Sequence, residues 1–256
     1  MQQDIVIFAP HQDDEILGAY EIIRQQPEHT YVVFLTNGDY EGAEVAKTRW
    51  HESRKALTHL GVPEGHMIAL GYADTGMPRE VSFLWRLWHE GDQTLVPAHV
   101  GAHTYHPDGG KEYHLAHWGA HAAYTRLAVL ADVRGVLEDI RPGTIYVTNE
   151  DDVHGDHAAA PLFVRAAIDQ MADYTPTIYR YHVHGGDDER WPNRTGDVFE
   201  KPLNLDESQW ESRVSVPVED QKDFLETLES FQSQWRDAEY MTAFIKKEQI
   251  FYREKK

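Results

Sequence analysis

Two short stretches of this 256-residue sequence concentrate the side chains that bind cations and move protons: FAPHQDDEILG at residues 8–18 and TNEDDVHGDH at residues 148–157. Three adjacent carboxylates, Asp13, Asp14 and Glu15, repel one another unless water or a cation lies among them. Two imidazoles and one carboxylate are a sufficient protein shell for a catalytic zinc ion, with a position left for water. The spacing brings His11 and Asp14 from the first stretch and His157 from the second. Asp13 is then left beside the cation without a ligand role, placed to accept a proton. His154 is expected across the reacting centre, stabilising an oxyanion or protonating a leaving group, with Asp156 holding that imidazole in orientation. Glu15 suits the positive end of a helix.

Either stretch alone is weak, because acids cap helices and HxDH recurs by chance. Their shared context joins them. Asp4–Phe8 reads as a buried strand and Asp14–Arg24 as a helix. Tyr31–Leu35 is a second strand, running into Thr36-Asn37-Gly38-Asp39, and Ala43–Leu60 is a helix stopped by Gly61-Val62-Pro63. Met67–Leu70 and Thr144–Val147 are further strands, with helices over Gly119–Ile140 and Ala158–Met171, and Thr177–Val183 closes the series. The alternation predicts an α/β, Rossmann-like, mostly parallel sheet with helices on both faces, in which ligands collect at the C-terminal ends of the strands. Both acidic stretches lie at such ends. A single domain is expected over residues 1–256, with irregular rim segments near 94–118 and 185–203 and a mostly helical tail from Pro217 to Tyr252.

Composition narrows the partners. The 43 acidic against 24 basic residues give a formal charge of −19, which disfavours nucleic acid and anionic membrane surfaces and suits a small neutral or cationic ligand. Hydrophobic residues make up 41% of the chain, enough for a core. With no cysteine, thiolate metal sites and disulfides are excluded. The opening MQQDIVIFAPHQDDE carries no basic and apolar leader, so the chain reads as cytoplasmic unless a leader has been removed.

The two stretches resemble the zinc-dependent LmbE-like, or PIG-L-like, N-acetylglucosaminyl deacetylases. Their strand followed by AHPDDE stands here as APHQDDE and their HxDH as HGDH. Further matches are Thr36-Asn37-Gly38, Arg49-Trp50-His51-Glu52, Leu60-Gly61-Val62, Asp74-Thr75-Gly76-Met77 and Ser233-Gln234. The resemblance implies His11, Asp14 and His157 as zinc ligands, Asp13 as general base and His154 as electrostatic or acid partner, in agreement with the chemistry above. Gln12 replaces the usual proline, which removes a φ restraint but no ligand, and is expected to alter loop stiffness or substrate contact.

The expected reaction is hydrolysis of an N-acyl, foremost N-acetyl, amino sugar or related glycoconjugate. Asp13 would accept a proton, and a protonated His154 would face the oxyanion. Arg49, Asp74, Asp39 and His184 are candidates for holding substrate. Zn2+ is the expected ion, although Fe2+ shares these ligands. The rivals are a metal-dependent phosphoesterase, which usually carries two ions, and a noncatalytic sugar-binding member of the fold, for which Asp13 and His154 would be superfluous. His106-Pro107-Asp108 imitates half the first motif without a preceding strand, and reads as a decoy. His114, His117 and His121 have helical spacing but no evident carboxylate partner. The oligomeric state stays open, a homo-oligomer included.

Overall fold

The run IVIFA, Ile5–Ala9 (β1), is apolar at every position because both of its faces are covered. Ile5, Ile7 and Ala9 enter one core, while Val6 and Phe8 enter the other. This is the two-residue period of a pleated strand, and each large side chain stabilises by roughly 1.5–3 kcal/mol on leaving water. The computed structural model describes residues 3–185, 191–202, 205, 206, 208 and 210–255. Residues 186–190 and 203 of the expected second rim lie outside the described residues.

From β1 the chain continues through α1 (Asp14–Gln25), β2 (Thr30–Thr36), α2 (Ala43–His59), β3 (Met67–Tyr72), α3 (Phe83–His89), α4 (Tyr113–Trp118) and α5 (Arg126–Ile140). It then forms β4 (Thr144–Thr148), α6 (Gly155–Asp169), β5 (Thr177–Tyr181), β6 (Trp210–Pro217), α7 (Gln221–Leu228), α8 (Ala238–Thr242) and β7 (Glu248–Glu254). The strands make one sheet in the order β3-β2-β1-β4-β5-β7-β6. The first five are parallel to their neighbours, and β7 pairs antiparallel with both β5 and β6. After β1 the chain travels outward to β2 and β3, then returns to the opposite side of β1 as β4. The loops at the C-terminal ends of β1 and β4 therefore flank the point where the winding reverses, which is where open α/β sheets bind ligands. No helix among the described residues is long and apolar enough to cross a membrane.

Two expectations are corrected. The helix expected from Gly119 begins at Arg126, because Gly119 sits in the left-handed conformation that ends α4 (φ 78°), and Thr125 caps α5 by accepting from the Ala128 amide. The tail, expected to be mostly helical, contributes the strands β6 and β7 around α7 and α8. The β7 segment EQIFYRE buries Gln249–Tyr252 between two neighbouring strands, and this tertiary cover overrides its weak local signal.

Candidate functional site

The turn from β1 into α1 is built around Asp13, whose φ of 124° and ψ of −31° cost a non-glycine residue about 1–3 kcal/mol. Glu15 braces it: one carboxylate oxygen accepts the Asp13 amide at 2.9 Å and the other accepts the Ser53 hydroxyl at 2.8 Å. Burial pushes the Glu15 carboxyl up to about 8. The Asp13 carbonyl receives the Ile16 and Leu17 amides, starting α1. Glu15 thus serves the turn and not the reacting centre.

The turn from β4 into α6 is fixed differently. His154 is the N-cap residue, its Nδ1 accepting from the Asp156 amide at 3.2 Å. Gly155 must lack a side chain, since a Cβ there would lie 2.5 Å from that of Ser82. Pro161 has no N–H with which to meet the His157 carbonyl one turn earlier. The Thr148 hydroxyl donates to that carbonyl instead, at 2.8 Å. Thr148→Val is accordingly expected to cost about 1–3 kcal/mol by leaving a buried acceptor unpaired, and to loosen His157. Thermal unfolding with and without added Zn2+ measures both effects, and an unchanged melting temperature with unchanged ion retention would refute this account of the bond.

These turns bring His11, Asp14 and His157 together, all buried. His11 Nδ1 lies 3.1 Å from His157 Nε2 and 3.4 Å from Asp14 Oδ2, and His157 Nε2 lies 3.1 Å from the same oxygen. Ligand atoms about 2.0–2.1 Å from a tetrahedral zinc ion stand roughly 3.3 Å apart, so the spacing fits such an ion. The outer nitrogen of each ring meets a carboxylate: His11 Nε2 is 3.2 Å from Asp156 Oδ2, and His157 Nδ1 is 3.3 Å from Asp152 Oδ2. A carboxylate behind each imidazole is the arrangement that orients metal-binding histidines. The Asp156 carboxylate therefore braces His11, and the His154 ring, expected to be oriented by this carboxylate, is held instead by the main-chain amide of Asp156. Its second oxygen accepts the Leu84 amide at 2.7 Å.

The electrostatics follow from burial and these pairings. Burial alone would lower His11, but Asp74, Asp14 and Asp156 outweigh it and hold the ring well above its ordinary range. Burial likewise opposes the charge on His157, yet Asp14 and Asp152 push it up to about 9. Asp14 is held well below the carboxylate range, against burial, chiefly by His157 and His11. His154 goes the other way: burial, then His11, His157 and His184, hold it well below its ordinary range. That direction favours the neutral ring over the expected imidazolium. Because its Nδ1 accepts a backbone N–H, the neutral ring carries its proton on Nε2.

A cavity of about 230 Å³ opens on this cluster, lined by His11, Asp13, Asp14, Arg49, Asp74, His154 and His184 together with Leu17, Val183 and residues of the C-terminal segment. Arg49 donates from Nη2 to the Gln12 carbonyl at 2.8 Å and lies 3.5 Å from Asp13 Oδ2. His184 meets the Tyr240 hydroxyl at 3.0 Å. Asp39 does not line the cavity: one of its oxygens accepts the Asp74 amide at 2.6 Å and the other the Tyr105 hydroxyl at 2.8 Å. It positions Asp74 and is not free to meet a ligand.

Sequence reasoning missed Asp152, which holds the His154, Val183 and His184 amides as well as His157. It stands in the TNEDDVHGDH run, but two adjacent acids there gave no means of choosing between them. It also missed Gln234, Arg236, Asp237, Tyr240 and Met241 as cavity walls. The Ser233-Gln234 pair was a signal, since Glu52 accepts both the Ser233 amide and hydroxyl, at 2.7 and 2.6 Å, and so brings Gln234 to the rim. His106 packs edge-on against Trp50 and accepts the Asp108 amide, apart from the cluster. His114, His117 and His121 have carboxylate partners after all, in Asp132, Asp139 and Glu112. These are three separate pairs, none of them among the convergent groups of metal-binding side chains found in the described residues.

A sequence-family model described as GlcNAc-PI de-N-acetylase, PIG-L, matches residues 6–168. No curated protein sequence matches the chain. Among solved structures, the zinc-inhibited form of teicoplanin deacetylase Orf2 is similar with a TM-score of 0.60 at 13% identity, covering 98% of this chain and 97% of that one. The N,N'-diacetylchitobiose deacetylase from Pyrococcus horikoshii gives 0.59 at 14% identity, covering 98% and 83%. GalB, the 4-carboxy-2-hydroxymuconate hydratase of Pseudomonas putida KT2440, gives 0.53 at 12% identity, covering 99% and 95%. At these identities the likenesses show a shared fold, and that fold also carries chemistry other than deacetylation.

Proposed function

The chain belongs to the GlcNAc-PI de-N-acetylase (PIG-L) family, and from that premise we propose that it is a divalent-cation-dependent hydrolase removing an N-acyl group, foremost acetyl, from an amino sugar or related glycoconjugate. The observation that carries the reading is the triangle of His11 Nδ1, Asp14 Oδ2 and His157 Nε2 at 3.1–3.4 Å, with a carboxylate behind each ring. Two structural neighbours named as deacetylases, of diacetylchitobiose and of teicoplanin, support the substrate class.

In this reading His11, Asp14 and His157 hold the cation, Zn2+ first and Fe2+ next. When bound, it supplies a Lewis acid that polarises the amide carbonyl and acidifies a nearby water. Asp13, at the cavity wall, takes a proton from the attacking water and returns it to the departing amine. The His154 Nε2–H, left free by the backbone bond to Nδ1, donates to the carbonyl oxygen as negative charge grows there. Arg49, Asp74 and His184 hold the sugar hydroxyls, and Leu17, Val183 and Met241 shield the reacting amide from bulk water.

A donor that works as a neutral group loses nothing at alkaline pH. His154→Ala is therefore expected to lower turnover on the order of 100-fold while leaving the shape of the alkaline side of the pH profile unchanged. A loss of the alkaline limb in that variant would return His154 to the protonated form. The cation must also displace protons from the raised imidazoles, His157 being pushed up to about 9, so its affinity is expected to fall as pH drops below that value. Calorimetric titration with Zn2+ in buffers of different ionisation enthalpy reads the protons released, and a pH-independent affinity with no release would contradict the ligand assignment.

Phosphoester hydrolysis is the second reading, favoured by one observation: His11, Asp74, His154 and Asp156 also converge closely enough to hold an ion. It would require two ions per chain with His11 shared between them. A panel of N-acetylated sugars and acyl conjugates, assayed for free amine beside phosphoesters assayed for phosphate, tests the two readings against each other.

A further inference from the structure

Gln12 stands where the resembling motif carries proline, and its side chain is wholly buried and absent from the cavity wall. It therefore meets no substrate. Its Nε2 donates to the Thr36 carbonyl at 2.9 Å, and since only the NH2 group can donate, this bond fixes which end of the carboxamide faces which way. The other end, Oε1, is buried with no hydrogen-bond partner, and the Arg49 Nε is likewise buried and unpaired. Both lie against one glycine. The point that a Cβ on Gly38 would occupy is crowded by Gln12 Oε1 and lies 3.1 Å from the Arg49 Nε and Cζ. An acceptor lacking a donor and a donor lacking an acceptor thus share the space that Gly38 leaves open.

We propose that Gln12 is a positioning residue for Arg49: its main-chain carbonyl accepts from Nη2, and a shift of the two side chains across the space beside Gly38 brings Oε1 to accept the Nε–H, which holds the guanidinium beside Asp13 at the cavity wall. The observed contacts are the Gln12 Nε2 on the Thr36 carbonyl and, separately, Arg49 Nη2 on the Gln12 main-chain carbonyl, with the guanidinium facing Asp13. A proline at this position restrains the backbone but offers no side-chain acceptor. Gly38 is the spacer, in the left-handed conformation at φ 59°, and a side chain there would part the two groups.

The test has one arm that needs no activity. In 15N-labelled protein the Nε–H resonance lost in Arg49→Lys belongs to Arg49. It is expected to exchange slowly with solvent in the parent protein and to become fast in Gln12→Leu. Fast exchange in the parent, or protection surviving in Gln12→Leu, overturns the proposal. The second arm rests on the amide-hydrolase reading. KM for an N-acetylated sugar is expected to rise about tenfold in Gln12→Leu, the size of one lost hydrogen bond to a charged group, with a smaller change in kcat. Added to Arg49→Lys, the same substitution should change nothing further, and independent, additive effects of the two overturn the proposal. If the parent protein hydrolyses no amide, the functional reading fails while the exchange arm still decides the role of Gln12.

Discussion

Asp13→Asn is expected to lower turnover by roughly 100-fold or more while the fold and the bound cation stay as in the parent protein. Asparagine has the shape of aspartate and tolerates the positive φ of this turn, so the brace from Glu15 to the residue 13 amide survives. What disappears is a carboxylate that lines the cavity and, unlike Asp14 and Asp74, is not paired with the His11 imidazole. Burial, with Asp14 adding to it and Arg49 opposing, pushes Asp13 up to about 7, a suitable value for a base working near neutrality. The ionised form is the active one, so the rate should rise with pH as Asp13 loses its proton, and a cation alongside would shift that limb to lower pH. Turnover in Asp13→Asn within a few-fold of the parent, on a verified substrate, would mean that the proton leaves by another route.

His157→Ala is expected to take the divalent ion from about one per chain to near none and to abolish activity with it. The ring is wholly buried and meets both Asp14 and Asp152, so its loss removes one ligand, leaves Asp14 with His11 alone and takes from Asp152 the imidazole it faces. Elemental analysis of the purified variant, with circular dichroism to verify the fold, gives the answer. Retention of the ion in His157→Ala, together with its loss in His106→Ala, would move the site to the 106–108 loop.

The parts legible in the sequence were those fixed by local pattern. The IVIF and TIYV runs marked the strands, and the acids and histidines behind them fell at strand ends, so His11, Asp14 and His157 could be placed together before any geometry was known. Partner choice was not legible. Asp156 braces a ring 145 positions away, and Asp152 differs from Asp151 in the sequence by nothing but one place in the chain. The downward shift of His154 depends on burial and on three neighbouring imidazoles, which no spacing reveals. The wall formed by Gln234 and Tyr240 depends on Glu52 and His184 reaching the tail across the fold, and β6 and β7 are held by antiparallel pairing of β7 with β6 and with β5.

The central claim is that this site hydrolyses an N-acyl amide with the help of one divalent ion. The most direct measurement incubates Zn2+-loaded protein with N-acetylated amino sugars and counts acetate and free amine together. The account predicts equal amounts of the two, suppression by a chelator, and restoration by Zn2+ or Fe2+ at about one ion per chain. Phosphate released from phosphoesters with two ions bound, and no amine from any N-acyl substrate, would contradict it.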